Sequence, residues 1–181
     1  MLNKSLLNIS VAAALLCSCA IAISATASAT IAISATVTQG CSINTTSALA
    51  FGAYDPIGTN ATAALNGTGQ LSVACSKGAS GLAIGLDGGM HAVGSQRQMQ
   101  GTTAADVLQY NLFQPPSNVA GVSCTFPGTI AWNSTAPAGV LTLSSAPNKL
   151  ARLYNVCGTV PLGQDASTGA YSDTVIAILN F

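Results

Sequence analysis

The sequence predicts an all-β protein with one domain, and three features of composition and pattern indicate this. Of the 181 residues, 49% are hydrophobic and only 6% are charged, so the chain has enough apolar side chains to build a core. It is rich in Ser and Thr, and its 18 glycines favour strands and turns over long helices. Short apolar runs alternate with stretches rich in Gly, Pro, Asn and Thr, which is typical of a β-sandwich.

Residues 1–29 are predicted to be a signal peptide. Lys4 provides the positive n-region, residues 6–22 the apolar h-region, and small residues up to Ala29 the cleavage signal. An uncut transmembrane anchor is the alternative, but serine and threonine interrupt the apolar run beyond Ile23 and leave it short for a bilayer span. We therefore expect an exported chain whose mature part begins near residue 30.

Residues 30–38 are predicted to form an extended strand. Ile31, Ile33, Ala35 and Val37 alternate with small or polar residues, so one face of an extended segment would be apolar. The pattern by itself is also that of an ordinary edge strand belonging to the same domain.

The rest of the chain, residues 39–181, is predicted to form the sandwich domain. Strands are expected at residues 70–75, 82–86, 107–113, 140–143, 155–160 and 171–181, where apolar and β-branched residues cluster between turn signals. Residues 53–68, 90–102 and 115–137 are expected to be connecting loops. No second hydrophobic cluster requires a domain of its own.

Four cysteines remain after removal of the signal peptide, namely Cys41, Cys75, Cys124 and Cys157. An even number of cysteines in an exported domain favours two disulfides, and three pairings are possible. A zinc site is the alternative, but the sequence has no CxxC spacing and only His91 could assist the cysteines. We therefore expect no metal and no cofactor.

The charged residues exclude two classes of function. Five basic residues balance five aspartates, so no basic stripe is available to bind a nucleic acid backbone. Hydrolytic enzymes need a nucleophile with a base, or two carboxylates with different pKa values. The chain has no glutamate and one histidine, His91, which we expect on a surface loop. Tyr171 and Asp173 are expected to be a packed ring and a turn-capping carboxylate, and Trp132 a core residue, so no catalytic residues are predicted.

A series of short motifs follows along the mature chain. They are Thr38-Gln39-Gly40-Cys41, Phe51-Gly52, Leu71-Ser72-Val73-Ala74-Cys75, residues 84–89, residues 108–113, and the chain end from Gly158 through Gly169-Ala170-Tyr171-Ser172-Asp173-Thr174 to Phe181. In their order they resemble the spore coat U family, which includes subunits of archaic, Csu-type chaperone-usher pili. The likeness covers about residues 30–181, and its last motif is the most specific.

The resemblance implies an incomplete immunoglobulin-like β-sandwich of six strands plus an N-terminal donor strand. The family's subunits lack the seventh strand, so a periplasmic pilus chaperone first fills the gap. The N-terminal strand of a neighbouring subunit then replaces the chaperone at the outer-membrane usher. The implied product is a homo- or heteropolymer, a cell-surface pilus or secreted fibre that supports adhesion and biofilm formation.

The resemblance also implies roles for particular residues. Residues 30–38 would be the donor strand, and its pocket-filling side chains would be Ile31, Ile33, Ala35 and Val37. The final strand would border the receiving groove through Val175, Ala177, Leu179 and Phe181. The family's disulfide between the first strand and the end of the second corresponds to Cys41 and Cys75, which leaves Cys124 and Cys157 as the other pair.

Two other functions fit the same features. One is a secreted spore or cell coat protein that assembles without a pilus. The other is a carbohydrate-binding adhesive module, because loops of β-sandwiches often bind ligands. A tip adhesin usually carries an additional binding domain, so a shaft or adaptor subunit is the preferred prediction.

Overall fold

Eight β-strands form two antiparallel sheets in the computed structural model, which describes residues 25–181. All of them belong to one compact unit, Val37–Phe181. The strands are β1 (Cys41–Ser47), β2 (Leu65–Cys75), β3 (Ala83–Leu86), β4 (Arg97–Gln100), β5 (Val107–Phe113), β6 (Leu141–Thr142), β7 (Arg152–Val160) and β8 (Ala177–Asn180). A short 3-10 helix, Thr59–Ala61, lies between β1 and β2.

The larger sheet has five strands in the order β1-β2-β7-β5-β4, and the smaller sheet has three in the order β6-β3-β8. The long strands β2 and β7 form the centre of the larger sheet, in register from Leu65 opposite Val160 to Val73 opposite Arg152. Because side chains alternate along a strand, Leu71, Val73 and Cys75 of β2 all point into the core and are buried.

The core lies between the two sheets and includes side chains from both. Val73, Ile84 and Val160 are completely buried there, together with Trp132 from the loop between β5 and β6. The indole Nε1 of Trp132 donates a 2.8 Å hydrogen bond to the carbonyl oxygen of Ile84, so its polar atom is satisfied inside the core. The predicted core position of Trp132 is confirmed.

The structure confirms the all-β sandwich and most of the predicted strands. The prediction for residues 107–113 coincides with β5, and β2, β3, β6 and β7 overlap their predicted segments. Six strands were implied, whereas the described chain has eight, because each sheet also ends in a short edge strand, β4 or β6.

Three strand predictions need correction. The strand β4 lies inside a predicted loop, because its sequence Arg-Gln-Met-Gln has no apolar alternation, and polar β1 was not predicted from its pattern either. The final strand begins at Ala177 instead of residue 171. Before it, the amide of Asp87 donates to the carbonyl oxygen of Ile176 (3.0 Å), but the amide of Ile176 donates to the Asp87 carboxylate (2.9 Å), so a side chain makes one of the two bonds of a regular pair.

Residues 30–38 were also predicted to be an extended strand, and for this N-terminal segment the assignment stays a prediction. Residues 25–40 have no regular secondary structure. An extended segment becomes a strand only when a neighbouring backbone exchanges hydrogen bonds with it, and no strand ladder of the described residues includes this segment.

Two disulfides stabilise the sandwich, one between Cys41 and Cys75 and the other between Cys124 and Cys157. They are the same pairs as those expected from the sequence. The first joins the start of β1 to the end of β2, and the second joins the loop after β5 to β7. Residues 1–24 of the expected signal peptide lie outside the described residues, so that assignment stays a prediction. Within residues 25–181, no helix has the length and hydropathy needed to span a bilayer.

Candidate functional site: an apolar groove between the sheets

The core of the sandwich is not fully covered. A group of apolar side chains packs against the buried core and stays only partly buried; those that also line one cavity are Leu49, Phe51, Tyr54, Leu65, Met99, Ala166, Tyr171, Val175 and Ala177. The cavity has a volume of about 920 Å³. A volume of this size could hold several side chains. The cavity is therefore a groove and not a small packing defect.

The inner face of the larger sheet forms much of the groove, through buried residues Leu71, Leu108, Leu112 and Val156. The smaller sheet contributes Leu86 of β3 and Ala177 of β8, and most of the remaining lining comes from residues 45–54 and 166–175. The groove is therefore bounded by the end of edge strand β1 and by the residues that lead into edge strand β8.

Glycines explain why the segment after β1 can lie so close to the sheet. Gly67 of β2 and Gly158 of β7 are directly opposite each other in the ladder. A Cβ atom on Gly158 would lie 2.6 Å from Cδ1 of Leu49 and 2.8 Å from Cζ of Phe51. The missing side chains therefore make space for Leu49 and Phe51, and the Phe51 ring packs at 6.0 Å from the ring of Tyr110.

The structure places the four predicted groove-bordering residues of the final strand in three different environments. Val175 and Ala177 line the groove. Leu179 is partly buried against the core, where it is paired with Ile84 of β3, but it is not part of the cavity lining. Phe181 follows β8 and is 57% exposed.

Both strands beside the groove have an unpaired edge. Among the described strands, β8 pairs only with β3 and β1 pairs only with β2, and the two edge strands approach each other. An unpaired edge has backbone N–H and C=O groups in position to bind another strand. An apolar groove next to such edges is the arrangement used for β-strand addition, in which alternate side chains of the incoming strand fill pockets.

A polar cluster lies at the end of the groove near Asp173. Oδ2 of Asp173 accepts a 2.6 Å hydrogen bond from the hydroxyl of Tyr110, and Oδ1 accepts one from the amide of Met90 (2.9 Å). Nδ1 of His91 lies 3.0 Å from Oδ1 of Asp173, whose side chain is only 3% exposed. His91 lies in a turn with its side chain 32% exposed, as expected for a residue on a surface loop, and its contact with Asp173 is an additional feature.

The cluster fixes the connections around the groove in place. Arg97 is buried, and its guanidinium donates hydrogen bonds to the carbonyl oxygens of Leu86 and Asp87. Burial lowers the pKa of Arg97 from its ordinary value. Burial also raises the pKa of Tyr110 well above 10, and the hydrogen bond to Asp173 acts in the same direction. The Tyr110 hydroxyl therefore stays protonated and acts as a donor.

The predicted donor segment presents its apolar side chains to solvent. Ile31 is 85% exposed, Ile33 93% and Val37 88%, and Ala35 is exposed as well. Large apolar side chains that alternate along an exposed segment are a feature of surfaces that bind a partner.

Sequence reasoning missed most of the groove. Leu49 and Tyr110 were not identified as groove residues, and the contact of His91 with Asp173 was not foreseen. One available signal was the glycine at position 158 within an apolar strand, since such a glycine often marks a close approach of another segment. No group of three or more His, Cys, Asp or Glu side chains within residues 25–181 could hold a metal ion.

Comparison with known proteins then identifies the family. Residues 27–177 match the Spore Coat Protein U domain. The chain belongs to this family. It is 33% identical over 156 residues to Protein U of Myxococcus xanthus, an alignment that covers 80% of this chain and 79% of that protein.

A solved structure is also similar. It is the crystal structure of the CsuC-CsuE chaperone-tip adhesion subunit pre-assembly complex from archaic chaperone-usher Csu pili of Acinetobacter baumannii. The sequence identity is 21% and the TM-score is 0.49, with 81% of this chain and 41% of that chain covered. The present chain thus spans less than half the length of the chain that it matches.

Proposed function

We propose that this chain is a structural subunit of a surface pilus that polymerises by donor-strand exchange. In this proposal, residues 1–29 are the signal peptide, residues 30–38 are the donor strand, and residues 39–181 are the domain that receives the donor strand of a neighbouring subunit. Membership of the spore coat U family supports a role in an extracellular assembly, and the geometry of the groove supports the mechanism.

The observation that carries the proposal is the apolar groove beside the unpaired edges of β1 and β8. Half-buried side chains such as Leu49, Phe51 and Val175 leave apolar area in contact with water, which is unfavourable. A strand placed in the groove would cover that area and complete the hydrogen bonds of an edge strand at the same time.

The N-terminal segment has the properties required of such a strand. Ile31, Ile33, Ala35 and Val37 are spaced so that all four would point the same way in an extended chain. Burial of a Val or Ile side chain contributes about 1.5 to 3 kcal/mol, so three such side chains would contribute several kcal/mol before the cost of ordering the segment.

The proposal includes partners and a cellular route. A periplasmic pilus chaperone would complement the groove before assembly, since a subunit with an open apolar edge tends to aggregate. An outer-membrane usher would then catalyse replacement of the chaperone by the donor strand of the next subunit. The two disulfides support folding in an oxidising compartment such as the periplasm.

The side chains that could have suggested catalysis support a structural role instead. Asp173 accepts hydrogen bonds from Tyr110 and the backbone of Met90, and its other neighbour is His91. These groups hold the groove end together and are not arranged around an exposed nucleophile. Adhesion and biofilm formation would follow from the fibre as a whole.

A secreted spore or cell coat protein is the second candidate, and the likeness to Protein U of Myxococcus xanthus favours it. The same strand exchange could build a coat, so the two candidates differ in the form of the product. Electron microscopy of the producing cells would separate them, because a coat would appear as a surface layer without fibres.

The decisive experiment for strand exchange compares Ile33→Asp with Ser34→Asp. In both variants a single negative charge enters the exposed N-terminal segment, but on opposite faces of an extended strand. A buried unpaired carboxylate is strongly disfavoured, so Ile33→Asp should abolish SDS-resistant multimers while chaperone-bound subunit accumulates. Ser34→Asp should form multimers at close to the normal level.

The outcomes are distinct. Normal multimers from Ile33→Asp would contradict the donor-strand assignment. Loss of multimers in both variants would mean that the segment is sensitive to charge as such, and that no particular face of it enters a groove.

A further inference from the structure

A second structural feature lies at the point where the proposed donor strand joins the domain. Cys41 is the first residue of β1, and the disulfide ties it to Cys75, the last residue of β2 and its direct partner in the ladder. The segment that would leave the domain to enter a neighbour is thus covalently attached to the sheet at its root.

Hydrogen bonds reinforce this attachment. The amide of Ser76 donates to the carbonyl oxygen of Gly40 (2.8 Å), and the amide of Gly40 donates to Oγ of Ser76 (3.1 Å). The side-chain amide of Gln39 donates to the carbonyl oxygen of Ser80 (3.2 Å) and accepts from the Ser80 amide (3.4 Å). The hydroxyl of Ser76 also lies within hydrogen-bond distance of the carbonyl oxygen of Thr38 (3.3 Å), so side-chain contacts and a disulfide hold four consecutive residues, 38–41.

The strand that follows is poorly suited to resist a pull. Most of β1 is exposed, it pairs within the described part of the subunit with β2 alone, and its register is broken between Thr45 and Ser47. A force applied at Cys41 without the disulfide would open the ladder from its first pair, one residue pair at a time. β2, in contrast, lies between β1 and β7 and pairs with β7 over residues 65–73.

We propose that Gln39, Cys41, Cys75, Ser76 and Ser80 form a tension anchor. The anchor transmits force from the donor strand directly into the interior strand β2 and so prevents β1 from being peeled off the sheet. This inference rests on the proposed strand exchange, because only a donor strand held by a neighbour would carry tension. The second disulfide, Cys124–Cys157, lies outside this path and offers a matched control.

The test is single-molecule pulling on native multimers at constant tension. Multimers of Cys41→Ser/Cys75→Ser should break within a subunit on the order of tenfold faster or more than the wild type. An early extension should also appear from release of the seven residues of β1, at most about 2.5 nm by the reach of an extended chain. Cys124→Ser/Cys157→Ser should keep wild-type behaviour before the main rupture.

A second measurement avoids dependence on the folding of the Cys41→Ser/Cys75→Ser variant. Multimers assembled from Cys124→Ser/Cys157→Ser contain only the Cys41–Cys75 disulfide, so a reductant added after assembly acts on that disulfide alone. Reduction should then produce the early extension and the faster rupture. Unchanged extension and rupture after reduction would overturn the anchor, as would equal effects of removing either disulfide.

Failure of the underlying proposal would look different. If the wild-type chain formed no multimers that depend on Ile33, strand exchange itself would be wrong, and this would be known before any pulling experiment. Multimers that form normally but rupture at the same rate with and without the Cys41–Cys75 disulfide would reject the anchor alone.

Discussion

Tyr110 and Asp173 meet at the end of the groove, where the tyrosine hydroxyl donates a 2.6 Å hydrogen bond to Oδ2 of the carboxylate. The bond joins β5 of the larger sheet to the residues that lead into β8 of the smaller sheet. Because Asp173 also accepts a hydrogen bond from the amide of Met90, one buried carboxylate connects three parts of the chain around the groove.

Replacement of Tyr110 by Phe should change stability in a way that depends on pH. The folded-state pKa of Tyr110 is raised above 10 by burial and by its bond to Asp173. The folded state therefore binds more protons than the unfolded state above about pH 10, and the free energy of unfolding must fall as pH rises there. Below about pH 10 this contribution is fully present.

The variant should lose about 1.5 to 3 kcal/mol near neutral pH, as expected for a hydrogen bond to a charged group. It should also show a shallower decline above about pH 10 than the wild type. Urea unfolding of the subunit with a bound peptide of residues 30–38, repeated across pH, measures both effects. Tyr154→Phe is the control for the loss near neutral pH, since the buried Tyr154 hydroxyl, unlike that of Tyr110, donates to no carboxylate among the described residues. Equal pH slopes for wild type and Tyr110→Phe would contradict the assignment.

Gly158→Ala should damage the groove more than the sheet. The new Cβ would lie 2.6 Å from Leu49 and 2.8 Å from Phe51, so these flexible side chains would have to move. Overpacking of this kind costs about 1 to 3 kcal/mol, and displaced side chains would narrow the groove. The affinity for a peptide of residues 30–38 should fall by about tenfold or more, which calorimetry can measure.

Gly40→Ala is the matched control for this substitution. Its Cβ would meet only Oγ of Ser76, at an ordinary contact distance of 3.8 Å. Peptide affinity should therefore stay within about twofold of the wild type, since substitutions without a strained contact change stability little. If both alanine variants bound the peptide as well as the wild type, Gly158 would have no part in shaping the groove.

The sequence predicted a strand correctly where the apolar and turn residues that define it are close together in the chain. β5 was predicted at its observed bounds, because its apolar residues alternate between clear turn signals. β4 could not be predicted in this way, because Arg97 is buried by bonds to the backbone of Leu86 and Asp87 instead of by an apolar environment. Its position in the sheet follows from contacts that only the fold creates.

The groove was less predictable than the strands. Its shape depends on the register that places Gly67 opposite Gly158, and these residues are far apart in the sequence. The contact between His91 and Asp173 likewise joins residues separated by 82 positions. The exposed alternation of Ile31, Ile33 and Val37 is local, and the sequence therefore identified the proposed donor segment but not the pockets that would receive it.

Removal of residues 30–38 should separate folding from polymerisation. The shortened mature chain retains the receiving domain, so it should form a chaperone complex of normal yield but no homomultimers. Without the chaperone it should aggregate or be degraded, because the apolar groove stays uncovered. Size-exclusion chromatography of periplasmic extracts measures both outcomes. A monodisperse, stably folded monomer of this variant would show that the sandwich is complete without a donor strand.

The Leu179→Asp subunit should fail at folding, an earlier step of assembly than the strand exchange at which Ile33→Asp should fail. The reason is that Leu179 belongs to the domain itself. It is partly buried and paired with the fully buried Ile84, so a carboxylate there would be placed against the core. The cost should be on the order of 3 kcal/mol, enough to reduce recovery of the chaperone complex. Asn180→Asp introduces the same charge at the next, exposed position of β8 and should change recovery little. A normal yield of the Leu179→Asp complex, compared with Asn180→Asp by quantitative immunoblotting, would contradict the assignment of Leu179 to the core face of the final strand.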